Sequence, residues 1–158
     1  PVFVILLAPL FAWLWTRLGP HQPSSPMKFF FGLVFVGLSF VLMVPAAKLA
    51  TEGLVSPLWL LGLFFLQTVG ELCLSPVGLS TVTKLAPVKL VGIMMGGWFL
   101  ATSVGNFLSG YLARTFGEGS SEGSLTVFFK DQAIFVLVAA AVLLALVPAV
   151  KKLMGHVR

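Results

Sequence analysis

The stretch Leu58–Pro87 reads LWLLGLFFLQTVGELCLSPVGLSTVTKLAP and carries a single acid, Glu71, near its middle, with Ser75-Pro76 just after it. About 20 predominantly apolar residues suffice to cross the hydrocarbon core of a bilayer, so the run is long enough to span and Glu71 falls at membrane depth. An ionised carboxylate there costs about 2.5–3.5 kcal/mol on insertion scales. Spans keep such groups where they face a protein interior or a water-filled path. Glu71 is therefore the first functional candidate.

The composition around this stretch agrees. Of 158 residues, 58% are hydrophobic and 9% are charged, against about 25% charged in soluble domains. Such a chain cannot cover a water-facing surface, and the fold class expected is an all-α polytopic transmembrane bundle. The net charge of +5 comes from ten Lys and Arg residues scattered over short loops. They form no basic stripe of the kind nucleic acid requires, and a membrane-topology signal accounts for them better. Cys73 is the one cysteine, which excludes a disulfide framework within the chain and fits a small apolar filler. The chain begins at Pro1 inside an apolar run, so the expectation is the C-terminal part of a longer protein.

Working outward, five membrane segments are expected: 1–15 (short of a full span), 28–47, 58–86, 91–113 and 132–150. The linker TRLGPHQPSSP at 16–26 is rich in Pro, Ser and Gly and reads as a loop. The segment 114–131, with GEGSSEGS at its centre, reads as a flexible extracytoplasmic loop. Pro76 disfavours helical geometry at Ser75 and removes one backbone hydrogen bond, so a kink is expected there. Lys and Arg are in excess at 16–28 (Arg17, Lys28), at the turn after the Glu71 helix (Lys84, Lys89) and in the tail (Lys151, Lys152, Arg158). That alternation puts those three regions, and the C-terminus, in the cytoplasm. A multi-pass protein of the cell (inner) membrane is the expectation.

Helical spacing sets Gln67, Glu71 and Ser75 at i, i+4 and i+8, with Gly78 on nearly the same face. Gln67 and Ser75 read either as hydrogen-bonding glue between helices or as cavity groups. Glu71 reads either as a cation or proton site or as a structural ion pair with another helix. In the next segment Gly92, Gly96, Gly97, Ala101 and Gly105 form a small-residue row that lets a neighbouring helix come close. Trp98, Thr102 and Asn106 run beside it at the same four-residue spacing. A Trp this deep is unlike the interfacial aromatic belt and lines a cavity or fills the core; Asn106 reads foremost as an interhelical hydrogen bonder. His21 and His156 lie in loop and tail without convergent partners, so no metal site is expected. No phosphate-cradling glycine loop and no Ser/His/Asp constellation is present, and an enzyme is not indicated.

The run Gln67-Thr-Val-Gly-Glu71-Leu-Cys-Leu-Ser75-Pro76, continued to Pro87, and the run Gly92-Ile-Met-Met-Gly96-Gly-Trp98-Phe99-Leu100-Ala-Thr102-Ser-Val-Gly105-Asn106 together resemble the proton-dependent oligopeptide transporters. These are the peptide transporters of the major facilitator superfamily. The resemblance covers essentially the whole chain, whose five segments look like helices eight to twelve of such a transporter.

The resemblance implies two six-helix bundles that rock around a central cavity and couple uptake of di- and tripeptides to an inward proton gradient. Glu71 would engage the peptide's amino terminus, with Trp98 and Thr102 on the cavity wall. Phe99 and Leu100 would contribute to the gate, and Gln67, Ser75 and Asn106 are further cavity or gate candidates. Protons would be the coupling ion, with no cofactor. The partners would be the peptide, the bilayer and the N-terminal bundle of the same parent chain, which holds the peptide carboxylate. Two alternatives stand beside this: the same architecture carrying nitrate or an organic anion, and a non-transporting membrane scaffold subunit.

Overall fold

The computed structural model describes residues 2–117 and 124–154. Five α-helices follow one another: α1 (Val2–Leu18), α2 (Ser25–Glu52), α3 (Leu58–Leu85), α4 (Val91–Gly117) and α5 (Ser124–Met154). Short 3-10 turns at Gly19–His21 and Val88–Leu90 join α1 to α2 and α3 to α4. The chain is all-α, as the composition requires, and α2 to α5 are each long and apolar enough to cross a membrane. With 17 residues, α1 is the shorter apolar helix.

Local chemistry sets the boundaries. Gly19 adopts φ +45°, a left-handed conformation that costs glycine little and stops α1. Ser24 holds the N-cap position of α2 without a side-chain capping bond, and Pro26 sits in the first turn, where a missing N–H is no loss. Pro87 forces Ala86 out of helical geometry, to ψ 136°, and ends α3. The prolines within helices, including Pro76 in α3, leave the helical assignment unbroken. At 28 residues, α3 is about 42 Å long, longer than the core of a bilayer.

Both ends of the expected loop at 114–131 are helical. Residues 114–117 extend α4, and α5 begins at Ser124 rather than at 132; the centre of the expected loop lies outside the described residues. The physical reason is that Leu125, Val127, Phe128 and Phe129 continue the apolar run. Once a helix is nucleated, adding a turn containing Lys130 and Asp131 costs little.

The packing is centred on α2, which packs as extensively on α5 as on its antiparallel neighbour α3. α3 also touches α1 and α4. Small and medium side chains make up the buried core: Ala46 and Ala47 on α2, Val69, Cys73 and Val77 on α3, Ala133 and Ala140 on α5. In a bilayer, helices associate through close van der Waals packing, and small residues permit it. Gly32 and Gly70 provide the closest instance. A Cβ built on Gly32 would lie 3.0 Å from the Gly70 carbonyl oxygen, and one on Gly70 would lie 2.8 Å from the Gly32 carbonyl oxygen.

The glycine row of α4 behaves otherwise. Nothing among the described residues lies within 4 Å of a Cβ placed on Gly92, Gly96, Gly97 or Gly105. Tight packing was the expectation for these positions. Among the described residues the close approaches fall instead at Gly32, Gly37, Gly62, Gly70 and Gly78, because α4 packs sparingly on the other described helices and Gly105 opens onto a cavity shared with α3 and α5.

The basic segments gather at one end of the helices. Lys28 and Lys84 line one cavity, and Ser25, Leu85 and Val150 line the neighbouring cleft. The 16–28 linker, the end of α3 and the end of α5 therefore share a side, in agreement with the charge alternation.

Candidate substrate-facing site

α3 buries Val69, Gly70, Leu72, Cys73 and Val77, mainly against α2. Glu71 lies on the opposite side, exposed among the described residues and midway along α3. Among the described residues Glu71 has no ion-pair partner. An unpaired carboxylate at membrane depth is costly unless water or a ligand reaches it.

Trp98 anchors α4 to this side of α3. The outer edge of its indole rests on Gly78, and its ring meets Phe29 of α2 edge-on, 6.5 Å between centroids at 77°. Half-buried, Trp98 thus packs one edge in the helix interface and keeps the rest accessible. At the other end of the contact, Gln67 of α3 and Gly105 of α4 line one cavity of about 530 Å³ together with Phe40, Leu108 and Gln132. These two points fix an antiparallel register. Thr102 lies one turn beyond Trp98 on the same α4 stripe, and Glu71 lies two turns before Gly78 on α3.

The remaining candidates separate. The Thr102 hydroxyl donates to the Phe99 carbonyl at 2.8 Å, and Ser103 donates to the same oxygen at 2.9 Å. Phe99 and Leu100 are exposed, at 57% and 66%, and Asn106 is exposed as well. Ser75 is half-buried. Gln67 belongs to the α2–α5 cavity rather than to the level of Glu71. Among the described residues no group of three or more His, Cys, Asp or Glu side chains could hold a metal.

Two features escape a reading of the sequence. Gly78 is the seat of Trp98, and only a helix pairing reveals it. Lys28, counted as a loop cation, is instead 9% exposed; its place four residues into an apolar helix was the available signal.

Comparison with known proteins settles the family. The model of the POT family matches residues 1–131. The chain belongs to the POT family. It is 44% identical over 99% of its length to Uncharacterized transporter YclF of Bacillus subtilis (strain 168), and 40% identical over its full length to the Di-/tripeptide transporter of Lactococcus lactis subsp. lactis (strain IL1403). It spans 31% of each of those relatives. A crystal structure of a peptide transporter POT mutant in complex with alafosfalin superposes with a TM-score of 0.87 at 41% identity, covering 99% of this chain and 31% of that one. This POT-family chain therefore has the fold of one part of a major facilitator transporter, and its relatives are transporters rather than enzymes.

Proposed function

We propose that this chain forms the C-terminal bundle portion of a proton-coupled symporter of di- and tripeptides. The observation that carries the proposal is Glu71: an acid at membrane depth on an open helix face, without an ion-pair partner among the described residues. A peptide ammonium is a compact cation with three donors, and an acceptor-only carboxylate suits it. In a cavity of reduced dielectric the pair is much stronger than in water. The relatives named as di-/tripeptide and peptide transporters support this substrate class.

Trp98 and Thr102 supply the wall on the α4 side. The indole gives a flat apolar surface at Gly78, two turns along α3 from Glu71, and the Thr102 hydroxyl, bonded to its own helix, keeps lone-pair capacity for a ligand N–H. Phe99 and Leu100, between Trp98 and Thr102, and Asn106 one turn beyond lie on the exposed α4 surface, where a gate against the N-terminal bundle would form. In this reading Glu71 exchanges a proton for the substrate cation as the two bundles alternate access. The basic ends and the C-terminus lie on the cytoplasmic side of the cell membrane in this reading.

The test is uptake of labelled dialanine by the full-length transporter in liposomes, with and without an acidic exterior. Wild type accumulates peptide under the gradient and Glu71→Gln does not. Accumulation by Glu71→Gln at the wild-type level removes Glu71 from the mechanism, and absence of uptake by wild type at any pH removes the peptide assignment.

A further inference from the structure

At the end where the basic segments gather, two cavities adjoin and share Ser25. The first, about 230 Å³, lies between α1, α2 and α3 and is lined by Trp15, Gln22, Lys28, Ser80 and Lys84 besides Ser25. The second, about 220 Å³, is an apolar cleft between α2, α3 and α5, lined by Phe29, Leu85, Leu143 and Val150 besides Pro26 and Thr81.

The first cavity is cationic without a counter-charge. The Lys28 ammonium donates to Gln22 Oε1 at 2.6 Å and lies 4.5 Å from the centroid of the Trp15 ring. The amide takes one of its three protons, and no carboxylate pairs with Lys28 or Lys84 among the described residues. The two lysines thus present like charge to one space, with Lys28 itself only 9% exposed. A buried charge is normally paired.

Hydroxyls in the same place are also unused. Ser25 is 5% exposed, lines the cavity and makes no side-chain hydrogen bond among the described residues. Beside it, at the cap of α2, Ser24 Oγ is buried with no partner. Buried polar atoms are nearly always satisfied, and the start of α2 adds the positive end of the helix dipole, with the Met27 and Lys28 N–H groups already bonded to the Ser24 carbonyl. Lysines, free hydroxyls and a helix start together describe a receptor for a phosphate group.

We infer that this pair of cavities binds an anionic phospholipid, its headgroup phosphate between Lys28 and Lys84 and the start of an acyl chain in the cleft at Leu143. Both parts of the site are present in the order a lipid needs them. The polar cavity lies where the helices end, at headgroup depth, and the apolar cleft shares a wall with it. Basic pockets between transmembrane helices take anionic headgroups for this reason. Glu71 lines neither cavity, so the site is separate from the proposed peptide site and does not depend on it.

The test is native mass spectrometry of the full-length transporter, with lipid retention measured after release from vesicles of phosphatidylglycerol and phosphatidylcholine. Wild type retains one phosphatidylglycerol in preference to phosphatidylcholine. Lys84→Gln, at an exposed position that folding tolerates, weakens that retention about fivefold, the weight of one lysine at a lipid surface. Leu143→Trp, which fills the cleft, weakens it without touching the charges. Equal retention of phosphatidylglycerol by wild type and both variants overturns the inference. So does full displacement of the lipid by millimolar inorganic phosphate, which would assign the cavity to a free anion.

Discussion

Trp98 of α4 rests on Gly78 of α3 so closely that a Cβ at position 78 would collide with the ring carbons Cη2, Cζ2 and Cζ3. Phe29 of α2 closes the same corner edge-on at 6.5 Å, a geometry worth about 0.5–1.5 kcal/mol beyond area burial. Three helices thus meet at one indole. Because α4 otherwise touches the described helices sparingly, this contact is its main seat on α3.

Filling the seat should therefore unfasten α4. Gly78→Val is expected to cost about 1–3 kcal/mol, the usual penalty of overpacking, and to lower the melting temperature of the full-length transporter in detergent. Trp98→Ala in the same molecule should return part of that loss, since residues in contact are non-additive by about 0.5–3 kcal/mol. Strictly additive effects would show that the contact does not hold α4.

The glycines should divide into two groups on substitution. Gly70→Ala brings a methyl to 2.8 Å from the Gly32 carbonyl oxygen and 2.7 Å from the Val36 side chain; neither neighbour is free to retreat, so expression and melting temperature should fall. Gly96→Ala meets nothing among the described residues and should be neutral to within about 0.5 kcal/mol. A penalty at Gly96 as large as that at Gly70 would show that a helix from elsewhere in the polypeptide seats on the α4 glycine row.

Thr102 separates stability from function. Its hydroxyl already donates to the Phe99 carbonyl, and Thr102→Val removes one such bond, worth about 0.5–1.5 kcal/mol. If the hydroxyl also accepts from a peptide N–H, Thr102→Val raises KM for dialanine while Thr102→Ser keeps it near wild type. Equal KM for all three proteins would leave Thr102 with a structural role alone.

The helices were legible because apolar runs and proline-bounded linkers are one-dimensional signals: Ala86 before Pro87 ends α3, and Gly19 before Pro20 ends α1. Glu71 was legible as a lone acid in such a run. What the sequence did not disclose depends on which helix lies beside which. Gly78 and Gly96 look alike as small residues in spans, yet one holds an indole and the other meets no neighbour among the described residues. Lys28 and Lys84, more than fifty residues apart, become one site only through the antiparallel pairing of α2 and α3. At 124–131 the signal was misjudged, since the charged pair Lys130-Asp131 lies inside α5 rather than before its start.

Cys73 and Glu71 offer the sharpest test of water access, because they lie two residues apart on opposite sides of α3. Cys73 is 3% exposed, packed in the core, whereas Glu71 is on the open face. A membrane-impermeant maleimide should leave the native thiol unmodified. In a Cys73→Ala background, Glu71→Cys should label readily, since a thiolate forms only where water reaches it, and saturating dialanine should slow that labelling by occupying the same space. A Cys at position 71 that resists the reagent would mean the face of Glu71 is packed against another helix. The acid would then be half of a structural ion pair, and the scaffold reading would replace the transporter.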